Sequence, residues 1–139
     1  MAHYDDVKAF HQKFELATDE TEPRPHLLDV STTDYRAEFL QEELDEFVDA
    51  CDEGNLDKAT DALLDIVYVA YGTALMMGVS PACWNELWAE VQRANMSKER
   101  ATSAGDERSK RSNSLDVVKP VGWRGPNGGE ILARYGAEE

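Results

Sequence analysis

An all-helical fold is predicted for this 139-residue chain by three features. Apolar residues recur at three- and four-residue intervals, capping residues and Gly or Pro stand where such helices would begin and end, and Gly54-Asn55 is short enough to make its flanking helices antiparallel neighbours. The length suits one domain spanning residues 1–139, able to bury roughly two thirds of its extended surface.

The first helix is expected from Asp5 to Leu16, where Val7, Phe10, Phe14 and His11 share a face. Pro23 and Pro25 make residues 19–28 an irregular connection. Thr32, Thr33 or Asp34 can cap a second helix running to about Glu53, with Phe39, Leu40, Leu44, Phe47, Val48 and Cys51 on its apolar face and Gly54 as its stop. A third helix begins at Asn55 or Asp57 and reaches Met77, with Gly78 beyond it. It is apolar on nearly every side over 62–77, as a central helix shielded by other helices or by a second subunit would be. Ser80-Pro81 is a good start for a fourth, through Cys83, Leu87, Val91 and Ala94 toward Asn95, with Trp84 and Trp88 read as core or interface residues. These four helices are expected to form a bundle core. Residues 99–114 are polar and read as a mobile connection, and 115–139 as a short irregular or extended segment serving as flap or capping tail.

Charge narrows the function. Twenty-eight acidic against fourteen basic residues, a formal charge of -14, disfavour polymeric nucleic acid and acidic membranes as partners. A small phosphorylated ligand stays compatible, because a bound cation inverts the local field. Cys51 and Cys83 read as free, mostly buried thiols. No signal-peptide pattern opens the chain, and Asp65 and Gly72 argue against a membrane span over 62–79, so a cytoplasmic protein is expected. No phosphate-binding Gly-rich loop, dinucleotide fingerprint or zinc-finger spacing is present; His3, His11 and His26 form no readable triad, and 125–129 reads as a turn.

The carboxylates carry the chemistry. Glu43 and Glu46 lie three apart, Glu42 and Glu46 four apart, and Asp61 and Asp65 four apart on the next helix. Antiparallel packing would join the two sets around a hard divalent ion, Mg2+ with Mn2+ as a substitute, and without metal or protons the cluster would repel itself. A solvated acidic face is the bland alternative, weakest for Asp65, which lies within Leu63-Leu64-Asp65-Ile66-Val67, where an unpaired buried carboxylate is costly.

The text Phe39-Leu-Gln-Glu-Glu-Leu-Asp-Glu46, Asp61-Ala-Leu-Leu-Asp65-Ile-Val-Tyr-Val-Ala-Tyr-Gly72 and Asn95-Met-Ser-Lys98 resembles the phage-type MazG-like nucleoside triphosphate pyrophosphohydrolases of the all-helical pyrophosphatase superfamily. The resemblance covers residues 5–98 and, more loosely, 117–131. It implies a MazG-like four-helix core assembled as a homodimer or homotetramer, and hydrolysis of a nucleoside triphosphate, in particular a dNTP, between the alpha and beta phosphates to a monophosphate and pyrophosphate. It implies metal ligands at Glu43, Glu46 and Asp65, and host cytoplasm if the chain is phage-encoded. One departure stands out: the family's second motif would place a glutamate at Ala62, and Asp61 is the available substitute.

The expected roles follow. Glu43, Glu46, Asp61 and Asp65 hold metal, and Glu42 or Glu46 activates the water. Asn95 and Lys98 meet the substrate, and Lys119, Trp123 and Arg124 reach it from the tail, unless the tail simply caps the core. The competing readings are a phosphoribosyl-nucleotide pyrophosphohydrolase and a noncatalytic acidic helical protein that binds a basic partner.

Overall fold

The computed structural model describes residues 2–138. It is mostly helical: α1 (Ala2–Lys13), α2 (Val30–Asp52), α3 (Leu56–Met76), α4 (Pro81–Met96), a two-residue strand pair β1 (Glu99–Arg100) and β2 (Val117–Val118), and α5 (Gly128–Arg134).

Helix ends follow local chemistry. The cap of α2 is Asp29, whose carboxylate accepts the Thr32 amide at 2.7 Å, so the helix starts earlier than the Thr32–Asp34 cluster predicted. Asn55 caps α3 through the Lys58 amide at 3.0 Å, just after Gly54 takes a φ of 68°. Ser80 and Pro81 begin α4 as expected, the hydroxyl accepting the Cys83 amide at 3.1 Å. The first helix ends at Lys13 rather than Leu16, because Glu15 turns into the left-handed region at φ 56°.

The α2/α3 hairpin and the main core are separate places. Tyr4, Val7, Ala74, Leu75, Val79, Cys83 and Ile131 form the core where α1, the end of α3, the start of α4 and α5 meet. Tyr4 donates to the Val79 carbonyl at 2.7 Å and stacks on Trp84 at 5.1 Å between ring centroids. Gly78 lies against the 22–24 loop: a Cβ there would stand 2.5 Å from the carbonyl oxygens of Glu22 and Arg24. The α1 helix packs on α3, whereas α4 packs chiefly on α5.

Within one chain other helices cover only part of α3, with Leu64 63% exposed and Leu63 and Val67 nearly half exposed, so of the two shields expected the single chain supplies the first incompletely. Two expectations need correction. Cys51 is exposed, because it lies off the α2 stripe that meets α3, while Cys83 is buried. A fifth helix occupies 128–134, where two glycines hid the helical signal; Asn127 caps it and Ile131 reaches the core. The polar segment after Lys98 folds as a set of turns around Asp106 and Asp116.

Candidate metal centre

The buried residues of α2 are Arg36, Glu43 and Ala50, seven apart and therefore stacked every two turns along one stripe. That stripe faces Ala59, Ala62, Val69 and Gly72 of α3, small side chains that let the helices approach closely. An acidic residue in this stripe is carried into the seam. Glu43 is only 8% exposed, and its Oε2 is buried with no hydrogen-bond partner.

Glu46, one turn on, is exposed at the rim, and Asp65 projects from α3 half-buried. One oxygen from each of Glu43, Glu46 and Asp65 can be chosen so that all lie within 4.8 Å of one another. Oxygens on opposite sides of a Mg2+ ion are about 4 Å apart, so a small side-chain contraction would close the set. Burial, then the charges of Asp65 and Glu46, push the Glu43 carboxyl up to about 7. Burial, then Asp61 and Glu46, raise Asp65. Among the described residues no cation neutralises this group at ion-pair distance; the nearest compensation available is a proton or a metal.

Asp61 lies one turn before Asp65 and is exposed. It shares with Glu46, Asp49 and Lys58 an open recess of about 400 Å³ beside the cluster. Ala62, where the resemblance would put a glutamate, is 2% exposed in the seam. Glu42 is not gathered with the others; it lines a different recess with Tyr35, Glu38 and Phe39.

The remaining expected site residues form a second group at the end of α4. The Trp123 indole donates to the Ala94 carbonyl at 2.8 Å, and Lys98 and Lys119 lie over its ring at 5.3 and 5.0 Å. The Arg124 carbonyl accepts from Arg93, and its charge helps hold Glu90 below the usual carboxylate range after Arg93 and the Asn127 amide. Asn95 is exposed on the last turn of α4. Within one chain this group shares no lining residue with the acidic recess.

Arg36 belongs to the same seam although it is not among the expected site residues. It is 8% exposed and donates to Thr73 Oγ1 and the Val69 carbonyl, each at 3.0 Å, two turns from Glu43 on the same stripe. Burial lowers its pKa from the ordinary value. Its readable signal is the seven-residue spacing Arg36, Glu43, Ala50. Gly72 makes room for it: a Cβ there would stand 2.8 Å from Arg36 Nη2 and 2.6 Å from His11 Nε2.

A helical hairpin with an acidic seam defines the class, a carboxylate-bearing all-α protein. Residues 7–95 match the model of the phosphoribosyl-ATP pyrophosphohydrolase family, PRA-PH, and the chain belongs to that family, within the MazG-like all-alpha superfamily. It is also 41% identical over 49 residues to the uncharacterized protein L479 of Acanthamoeba polyphaga mimivirus; the match covers 35% of this chain and 20% of that relative.

Proposed function

We propose that the protein is a Mg2+-dependent nucleoside triphosphate pyrophosphohydrolase, with Mn2+ able to substitute, that cleaves the alpha–beta phosphoanhydride and releases a monophosphate and pyrophosphate. The observation that carries this reading is the meeting of Glu43, Glu46 and Asp65 in the seam, with one Glu43 oxygen buried and unpartnered. Such an oxygen is costly to bury unless it is protonated or ligates a cation.

Glu43, Glu46 and Asp65 would hold the metal, with Asp61 supplying from the adjacent turn the charge that Ala62 lacks. When bound, the metal would offset the negative charge of the phosphates. Glu46 is the residue we assign to water activation, because it stands exposed at the rim of the cluster; Glu42 faces Tyr35 and Phe39 instead. Asn95, Lys98, Lys119, Trp123 and Arg124 are assigned to the nucleotide.

The dNTP preference follows the resemblance of 39–46, 61–72 and 95–98. The assembly is a homodimer or homotetramer in the cytoplasm, and the half-exposed Leu44, Val48, Leu63 and Val67, with Leu64, supply the apolar surface a second copy would cover to complete a four-helix core. A phosphoribosyl-nucleotide substrate is the second reading, favoured by the name of the matching family.

A panel of NTPs, dNTPs and phosphoribosyl nucleotides, with products separated, tests both. Pyrophosphate with a monophosphate from dNTPs in Mg2+, abolished by EDTA, is the expected result. Turnover of phosphoribosyl nucleotides alone would select the second reading, and no turnover of any nucleotide with Mg2+ or Mn2+ would reject both.

A further inference from the structure

Six of the chain's fourteen cations lie between Lys98 and Lys119, where only four of its twenty-eight acids fall. This short stretch is a basic island in a strongly acidic protein. Its turns form a recess of about 380 Å³ beside the β1/β2 pair, lined by Lys98, Arg108, Lys110, Arg111 and Lys119 together with Asp116 and the two strand valines.

The arginines are fixed in place. Asp106 accepts Arg108 Nη2 at 2.8 Å and also takes the Thr102 amide at 3.0 Å. Asp116 accepts Arg111 Nη1 and the Ser109 hydroxyl, each at 2.8 Å. Both carboxylates are nearly buried, with 5% and 8% side-chain exposure, so they are consumed in building the loop.

The lysines are different. The antiparallel register, Glu99 opposite Val118, carries Lys98 and Lys119 to the same end of the strand pair. Like charges placed across from one another destabilise a strand pair. Here both ammonium groups instead rest on one Trp123 ring, which is itself anchored to α4. Among the described residues neither they nor Lys110 makes an ion pair. The carboxylates here, Glu99, Asp106 and Asp116, are taken up by Arg108 and Arg111, so the unpaired ammonium groups leave a net positive potential where an anion can enter.

We propose that this recess is a binding site for two adjacent phosphate groups, as in pyrophosphate or the polyphosphate end of a nucleotide. Lys98, Lys110 and Lys119 make the contacts, and Arg108 and Arg111 shape the wall. The site is complete within one chain and requires no metal. It deepens the nucleotide reading above by assigning the tail to the polyphosphate, and rests on that reading only for the identity of the nucleotide.

Calorimetric titration of the full chain with inorganic pyrophosphate in EDTA tests it. Pyrophosphate should bind at least tenfold more tightly than orthophosphate, weaken as salt rises, and bind undiminished to Glu46→Gln/Asp65→Asn. Lys110→Ala/Lys119→Ala should lose at least tenfold, and Lys110→Arg/Lys119→Arg should recover most of it. In the unmutated protein, pyrophosphate should shield Lys98, Lys110 and Lys119 from acetylation while Lys13 and Lys58 stay reactive, a readout independent of how the variants fold. No shielding, equal binding of orthophosphate, or tighter binding of an oligonucleotide would overturn the proposal. Absence of nucleotide turnover by the unmutated protein, with pyrophosphate binding intact, would count against the acidic site alone.

Discussion

The seam between α2 and α3 and the turns after α4 both gather like charges, but they manage the repulsion in opposite ways. In the seam, Glu43 is desolvated between helices, and protonation is the relief open to the protein alone. In the tail, Lys98 and Lys119 share the face of an indole near solvent. Burial turns the first cluster into a site whose charge depends on pH and metal, while the second is spread over an aromatic face at the surface. Two clusters of like charge differ because one stands on a buried helical stripe and the other on a surface loop.

The largest expected effect is on turnover. Glu46→Gln and Asp65→Asn should each lower metal-dependent hydrolysis by about a hundredfold or more while leaving the helical circular dichroism unchanged. Asp61→Asn should cost less than either, because Asp61 is exposed one turn away. Equal losses at all three would make Asp61 a full member of the cluster.

Packing around the seam gives the next effects. Gly78→Ala should destabilise by about 2–4 kcal/mol in denaturant unfolding, since its Cβ would meet two backbone carbonyls at a φ of 78°. Gly72→Ala sets two terms against each other. Alanine gains about 1 kcal/mol of helix propensity, but its Cβ would press on Arg36 and His11, which cannot retreat without breaking bonds to Thr73, Val69 and Ala17. A net loss of about 1–2 kcal/mol is expected.

The smallest effect is on pH dependence. The folded state holds protons on Glu43 and Asp65 more tightly than the unfolded chain does; in EDTA the Glu43 contribution is fully present below pH 4.5 and is lost as pH rises through about 7, and the raised Asp65 adds to it in the same direction. The lowered carboxylates Asp29, Glu86 and Glu90 act in the other direction at lower pH, and buried His11, lowered by desolvation, opposes the trend as pH rises to about 6.5. Thermal midpoints in EDTA should therefore fall from pH 6.5 to 8, and Glu43→Gln should flatten that slope.

Much of the hairpin was legible in the sequence because Gly54, Asn55, Ser80 and Pro81 are strong local signals, and the three- and four-residue acidic spacings survive into the structure as a joined cluster. Glu42 was not separable from Glu43 by spacing alone, since both are within a turn of Glu46; only the rotation of α2 that buries Arg36, Glu43 and Ala50 divides them. The tail was the least legible part. Its shape depends on Asp106 and Asp116 reaching local amides and arginines, and α5 on tertiary burial of Ile131, neither of which has a periodic signature.

The central claim is that Glu43, Glu46 and Asp65 hold a divalent ion. Titration of Mn2+ into the metal-free protein at pH 8, with free ion read by electron paramagnetic resonance, tests it most directly. At least one ion per chain should bind to the unmutated protein, and Glu43→Gln or Asp65→Asn should weaken that binding by tenfold or more without loss of helical signal. Equal Mn2+ binding by the unmutated protein and both variants would contradict the account.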